Sequence, residues 1–286
     1  DTTWSSFSSI SPPPKNFIMT TFTTDLRRSL AAEWIKSRRT PLRWMTILGG
    51  GAVTTLIFAL FYFNTAELLE PSENPWPTYT GFSFAVASLL LLTPFIVLLA
   101  STAVHPEHRG HSWKYLYSLP LGRGPVYLAK FVLIMGALAL AYSLLFAGIF
   151  GTGFLLGLLR PDYDFVSAAP GLGSLARNFL RSYLASLGIL ALQYALSVWW
   201  RNYLLPIGIG LAGYIITPIL IGKTSVVFAL PYAYPILIAQ GLEANPGYAV
   251  TDHLVAGLST VEWYSLGYVL VFLCLGSWME RRRNIA

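Results

Sequence analysis

Residues 131–159 read FVLIMGALALAYSLLFAGIFGTGFLLGLL, and this stretch decides the fold. It contains no charged side chain. A helix needs about 20 consecutive apolar residues to cross the roughly 30 Å hydrocarbon core of a bilayer. The stretch therefore predicts a membrane-spanning helix.

The rest of the chain shares this apolar character. Of its 286 residues, 55% are hydrophobic and 11% are charged, and the mean hydropathy is +0.57. Soluble domains carry about 25% charged residues. The composition excludes a soluble globular protein and a disordered chain, and the lone Cys274 excludes an intrachain disulfide. We expect an all-α integral membrane protein.

The uncharged runs of the sequence predict six transmembrane helices. A further uncharged run contains Pro231 and Pro235, which favour a broken, re-entrant outer segment at about 225–240, before the last span. The six spans are expected at about 45–65, 81–104, 128–152, 182–200, 203–222 and 263–279.

The basic residues predict the orientation of these spans. All but four of the 19 Lys and Arg residues fall on one side of a six-span topology. The exceptions are Arg160, Arg177, Arg181 and Lys223. Because short cytoplasmic loops are rich in Lys and Arg, both termini are expected in the cytoplasm. The net charge of +6 is then mostly a topology signal rather than a nucleic-acid binding surface.

An amphipathic helix is predicted at residues 24–39, before the first span. Leu26, Leu30 and Trp34 share one face, while Glu33 and Lys36 lie on the rest of the helical wheel. Such a helix most simply lies in the plane of the lipid headgroups. A docking surface for a cytoplasmic partner is a second interpretation, and the two are compatible.

The loop between the second and third spans, HPEHRGHSWKYLYSLPLGRGP at residues 105–125, contains most of the candidate functional residues. It holds three of the four histidines, His105, His108 and His111. They are weak candidates for a metal site, because neither HExxH nor HxxEH is present and Pro106 and Gly110 interrupt a common helical face. Residues 111–119 instead predict a short aromatic helix suited to a groove on a soluble partner.

The spans themselves offer little chemistry. Lys130 near one end and the neutral Gln193 are their only notable polar groups, whereas pumps and ion-coupled transporters keep ionisable relays inside the membrane. No loop is long enough for a nucleotide-binding domain, so no cofactor is expected to bind directly. A membrane enzyme is disfavoured too, since no convergent set of catalytic groups is visible. The energy for any transport must therefore come from outside the membrane-spanning helices.

Two stretches carry a family resemblance. They are LAAEWIKSRRTPLRW at 30–44, and Glu107 followed by HRGHSWKYLYSLPLGRGPVYLAKF at 108–131. With the spans between and after them, they resemble the type-2 ABC exporter permeases, most closely those of lantibiotic and bacteriocin immunity. The resemblance covers residues 19–283.

The Ser- and Pro-rich composition of residues 5–14 predicts a disordered N-terminal tail at 1–23. The resemblance implies a single membrane permease domain at 24–283. It also implies two copies of a cytoplasmic ABC ATPase, which bind ATP and Mg. The other expected partners are a second permease copy or a sister permease and the surrounding membrane lipids, and no nucleic acid is expected. The expected location is the bacterial cytoplasmic (inner) membrane. The cargo would be amphipathic or peptide-like, an antibiotic peptide being one option. A non-transporting scaffold or sensor subunit and a copper-related exporter remain as alternatives.

The same resemblance assigns roles to particular residues. The expected ATPase-coupling residues are Glu107, Arg109, His111, Trp113, Lys114, Tyr117, Leu119, Pro120 and Arg123. The expected residues of the interfacial helix are Leu26, Leu30, Glu33, Trp34 and Lys36.

Overall fold

The computed structural model describes residues 15–38, 40–69, 74–109, 122–221, 223, 225–239 and 258–282, and every regular element within these ranges is a helix. The first half contains α1 (Lys15–Ser37), α2 (Leu42–Phe63), α3 (Thr65–Leu68), α4 (Pro75–Val86), a π-helix (Ala87–Leu92) and α5 (Thr93–Arg109). The second half contains α6 (Arg123–Leu159), a 3-10 turn (Pro161–Tyr163), α7 (Leu172–Trp199), α8 (Leu204–Leu220), two further 3-10 helices (Ser225–Ala229 and Pro231–Ala233), α9 (Tyr234–Ala239) and α10 (Thr260–Arg282).

The helix lengths confirm an all-α membrane protein. Five described segments are long and apolar enough to cross a membrane: α2, the continuous α4–π–α5 unit, α6, α7 and α10. The predicted span at 203–222 is instead the 17-residue α8, which is about 25 Å long and contains Pro218. The structure thus has five to six membrane-capable helices, and a count of six stays a prediction.

The helix α6 is much longer than its predicted span of 128–152. Its 37 residues extend over about 55 Å, well beyond a bilayer core of roughly 30 Å. The second span is also longer than predicted, and it contains the π-helix immediately before Pro94. Proline lacks an N–H and clashes with the carbonyl four residues earlier, so the wider π turn accommodates it without ending the helix.

The helix α1 differs from its prediction in extent. It begins at Lys15, ahead of the predicted helix start at residue 24, and ends at Ser37. It packs against α6 with Ser29, Glu33 and Ser37 buried, whereas the side chain of Trp34 is 54% exposed. The stripe of Ser29, Glu33 and Ser37 therefore points toward the bundle, while Trp34 and Ile35 point outward, where lipid would cover them.

The segment before the last helix is broken at its prolines, as predicted. Pro231 opens a 3-10 turn, and Pro235 lies in the first turn of α9. The segment packs against α7 and the π-helix, and Tyr232 accepts a hydrogen bond of 2.7 Å from Nε2 of Gln193. Whether the segment re-enters the membrane stays a prediction.

The bundle is built around α6 and α7. The helices α1 and α2 pack on α6, while α5 and α10 pack on α7. Close approach of α2 and α6 depends on Gly148, where an added Cβ would lie 2.7 Å from Cγ2 of Thr54. At the opposite end of the bundle from α1, Arg181 of α7 donates to the buried carboxylate of Glu262 at 3.0 Å.

Candidate functional site

Four charged side chains meet where α1, α5 and α6 come together. Nζ of Lys130 lies 2.7 Å from Oε2 of Glu33 and 2.6 Å from Oε1 of Glu107. Nζ of Lys36 lies 2.6 Å from the same Glu107 oxygen and 3.2 Å from Oε1 of Glu33. We call these four residues the charge cluster. It joins the N-terminal helix to the end of the second span and the start of the third.

Three side chains of the charge cluster are buried, that of Lys36 is 37% exposed, and the two basic and two acidic groups balance in formal charge. The side chains of Lys130 and Glu107 are 3% and 1% exposed, and that of Glu33 is 6% exposed. Buried charges are tolerated when they are paired and hydrogen-bonded, as the two ammonium and two carboxylate groups are here. The second oxygen of Glu107, Oε2, has no hydrogen-bond partner among the described residues.

The surroundings of α1 shift the pKa values of its two members of the cluster. Burial opposes ionisation of Glu33, but the ammonium groups of Lys130 and Lys36 outweigh it and hold the pKa of the carboxyl below its usual 4.5. Burial likewise opposes the charge on Lys36, but the carboxylates of Glu107 and Glu33 raise its pKa above the usual 10.5. Glu33 and Lys36 are therefore both charged at neutral pH.

Helical spacing explains how α1 supplies its half of the cluster. Ser29, Glu33 and Ser37 recur every four residues and form one buried stripe along the helix. Lys130 lies in the second turn of α6, and Glu107 lies two residues before the end of α5. The stripe thus faces the two helix ends that flank residues 110–121.

A second contact attaches α1 to the far end of that same stretch. The backbone N–H of Gly122, the N-cap residue of α6, donates to Oδ2 of Asp25 at 3.3 Å. A carboxylate at a helix N-terminus is favoured by the helix dipole. The helix α1 therefore contacts the chain both just before residues 110–121, at Glu107, and just after them, at Gly122.

On its other side, the end of α5 contacts the last turn of α7 and the N-cap residue of α8. Nε2 of His108 lies 2.9 Å from the backbone carbonyl of Ser197. The ring of His105 packs on Tyr203 with centroids 4.3 Å apart. These two histidines thus have separate protein partners, and no group of three potential metal ligands occurs among the described residues. The weak metal prediction gains no support from them.

The structure places only part of the predicted site. Glu107 and Glu33 lie in the charge cluster with Lys36, and Arg123 opens α6. Arg109 ends α5, but its side chain is not described. The remaining predicted coupling residues lie outside the described residues: His111, Trp113, Lys114, Tyr117, Leu119 and Pro120. Leu26 and Leu30 are half-buried on α1.

The ion pairs and the Asp25 contact are what sequence reasoning missed. One signal was present in the sequence. Lys130 is the single charged residue in the otherwise uncharged stretch 124–159, which forms α6. A lysine at that position needs a buried carboxylate partner. Nothing in the spacing identifies Glu33, 97 residues away, as that partner.

Comparison with known proteins gives one family. The model of a family described as ABC-2 family transporter protein matches residues 29–217. The match covers more than half of the chain and includes the whole charge cluster. No curated protein matches the chain.

Proposed function

The chain belongs to the ABC-2 family of transporter proteins, and from this premise we propose that it is the transmembrane subunit of an ABC exporter driven by separate ATPase subunits. Two copies of a cytoplasmic ATPase would bind ATP and Mg and hydrolyse the nucleotide. A second permease copy or a sister permease would complete the transporter in a bacterial inner membrane, with both termini cytoplasmic.

The charge cluster is the observation that carries the proposal. Residues 110–121 connect the second span to the third, and α1 contacts the chain at both ends of this stretch. Lys130 and Glu107 are too deeply buried to exchange their partners with water at low cost. A displacement of residues 110–121 by a partner would therefore move α1, α5 and α6 together rather than bend one loop.

The nature of the spans supports an amphipathic cargo. Their exposed surface is rich in large apolar and aromatic side chains, and the described part of the bundle interior contains few charges beyond the cluster. A peptide antibiotic that partitions into the membrane has the matching chemistry. This cargo class agrees with the resemblance to lantibiotic-immunity permeases.

The coupling role is tested in the assembled transporter. Trp113→Ala, within the stretch predicted to dock on the ATPase, should leave membrane insertion and ATPase binding measurable but reduce cargo-stimulated ATP hydrolysis. Trp44→Ala is the matched control, because this exposed tryptophan lies at the start of α2 and outside the predicted docking segment. Equal stimulation in both variants would remove residues 110–121 from the coupling path.

The cargo class is tested in cells. Cells that produce the chain together with its ATPase are challenged with a panel of cationic amphipathic peptides and with hydrophilic antibiotics of similar potency. We expect higher tolerance to the peptides alone, and we expect it to disappear when the partner cannot hydrolyse ATP. Tolerance that persists with an inactive ATPase would favour a scaffold or sensor subunit instead.

A further inference from the structure

A large apolar groove lies between α1, α2 and α6, beside the buried stripe of α1, whose last member, Ser37, belongs to its lining. Its volume is about 820 Å³. The lining includes Trp34 of α1, Ile47 of α2, and Leu133, Gly136 and Leu140 of α6. We propose that this groove binds one anionic phospholipid from the membrane leaflet on the side of α1, with Arg43 holding the phosphate.

The depth of the groove matches one leaflet. It extends along α6 as far as Leu140, ten residues beyond Lys130. Ten helical residues span about 15 Å, half of a roughly 30 Å hydrocarbon core. An acyl chain that begins at the level of the charge cluster would therefore end where the leaflet ends.

The polar groups of the groove select a ligand with an anionic head. The hydroxyls of Ser37 and Thr46 donate to carbonyls of their own helices, at 2.7 Å and 2.8 Å, so they do not need a ligand. Arg43 stacks its guanidinium 5.1 Å from the ring centre of Trp34 and pairs with none of the described carboxylates. A ligand would thus meet apolar walls and one fixed cation.

These properties of the groove disfavour two other occupants, a transported peptide and a helix from a second copy of the chain. A transported peptide would bring backbone polar groups into a groove whose hydroxyls are already satisfied. An apolar helix from a second copy of the chain would bury the charge of Arg43 without a counter-charge, which is costly. A phosphodiester with acyl chains satisfies both the cation and the apolar walls.

Glycine 136 allows the groove to be blocked without disturbing the helix. A Cβ added at Gly136 would meet no atom within 4 Å, so a larger side chain projects into the open space. Gly151 lies on the same helix, is equally unobstructed and does not line the groove. Gly136→Leu and Gly151→Leu therefore form a matched pair.

The test is native mass spectrometry of the full chain, delipidated and then titrated with dioleoyl phosphatidylglycerol or dioleoyl phosphatidylcholine. We expect one phosphatidylglycerol to bind about five-fold more tightly than phosphatidylcholine, the preference that one basic residue contributes near an anionic headgroup. Gly136→Leu should abolish this binding, and Gly151→Leu should retain it. The readout does not involve ATP, so its failure would leave the proposed function standing.

The headgroup contact has its own pair of variants. Arg43→Gln should make the affinities for the two lipids equal. Arg28→Gln removes an exposed charge on α1 outside the groove and should preserve the preference for phosphatidylglycerol. Equal binding of both lipids by the unmodified chain, or unchanged binding in Gly136→Leu, would overturn the proposal. A change of oligomeric state in Gly136→Leu with unchanged lipid content would assign the groove to a second copy and overturn it as well.

Discussion

Replacing Lys130 with methionine removes the central cation of the charge cluster. Two carboxylates, Glu33 and Glu107, would then share Lys36 alone, and the cluster would change from neutral to a net charge of minus one. Breaking a buried ion pair by removing one partner costs roughly 3–5 kcal/mol. We expect the free energy of unfolding to fall by that amount at pH 7.

The cost of protonating a carboxylate gives an independent estimate of this loss of stability. The variant can relieve the excess charge by protonating Glu33, whose usual pKa is 4.5. At pH 7 this costs about 2.5 units at about 1.36 kcal/mol each, or about 3.4 kcal/mol. The two estimates agree. The second also predicts that the difference in unfolding free energy between the variant and the unmodified chain shrinks as the pH falls toward 4.5.

The assay is equilibrium unfolding in mixed micelles, followed by tryptophan fluorescence at several pH values. Lys223→Met is the control, since this exposed lysine lies outside the cluster and its loss should cost less than about 0.5 kcal/mol. Adding Glu107→Met to Lys130→Met should recover part of the stability, because an apolar pair can replace a buried ion pair. A loss below about 1 kcal/mol for Lys130→Met, or strictly additive losses in the double variant, would refute this reasoning.

Two further predictions concern pH and helix packing. The lowered pKa of Glu33 contributes stability above pH 4.5 that is lost as the pH falls further, and the raised pKa of Lys36 contributes stability below pH 10.5 that is lost as the pH rises further. Limited proteolysis of α1 should therefore be slow throughout the neutral range and accelerate at both extremes, and release of α1 near pH 7 would contradict this. Gly148→Ala places a Cβ 2.7 Å from Thr54 and should cost about 1–3 kcal/mol in the same unfolding assay. Gly151→Ala meets no atom within 4 Å and should be nearly neutral, so equal losses would show that α2 and α6 do not depend on that close approach.

Hydrophobic runs predicted the helical class well because crossing a bilayer imposes a minimum length on every apolar segment. They could not predict the extent of α6, since nothing in a hydrophobic run marks where a helix stops beyond the membrane. At α8 the uncharged run at 203–222 gives an apolar helix of 17 residues, so the sixth span stays a prediction. Prolines gave a mixed signal, because the chain breaks at Pro231 but α5 continues through Pro106 and α8 through Pro218.

The orientation of α1 illustrates a second limit. Helical periodicity groups Leu26, Leu30 and Trp34 on one face, but it does not say whether that face meets the protein or the lipid. In this chain the stripe that contains Glu33 turns inward, because Glu33 pairs with Lys130 of α6. Pairing across 97 residues follows from tertiary packing, which a single sequence does not reveal. The candidate coupling residue Glu107, by contrast, was identified from its flanking motif and lies in the cluster.

The central claim is that this chain is a permease subunit powered by a separate ATPase. The most direct measurement is affinity purification of the intact chain, expressed together with its genomic neighbours, followed by an assay of ATP hydrolysis in the eluate. We expect an ATP-hydrolysing subunit to elute with the chain in equal amounts. A stable chain that elutes alone and without ATP hydrolysis would contradict the claim.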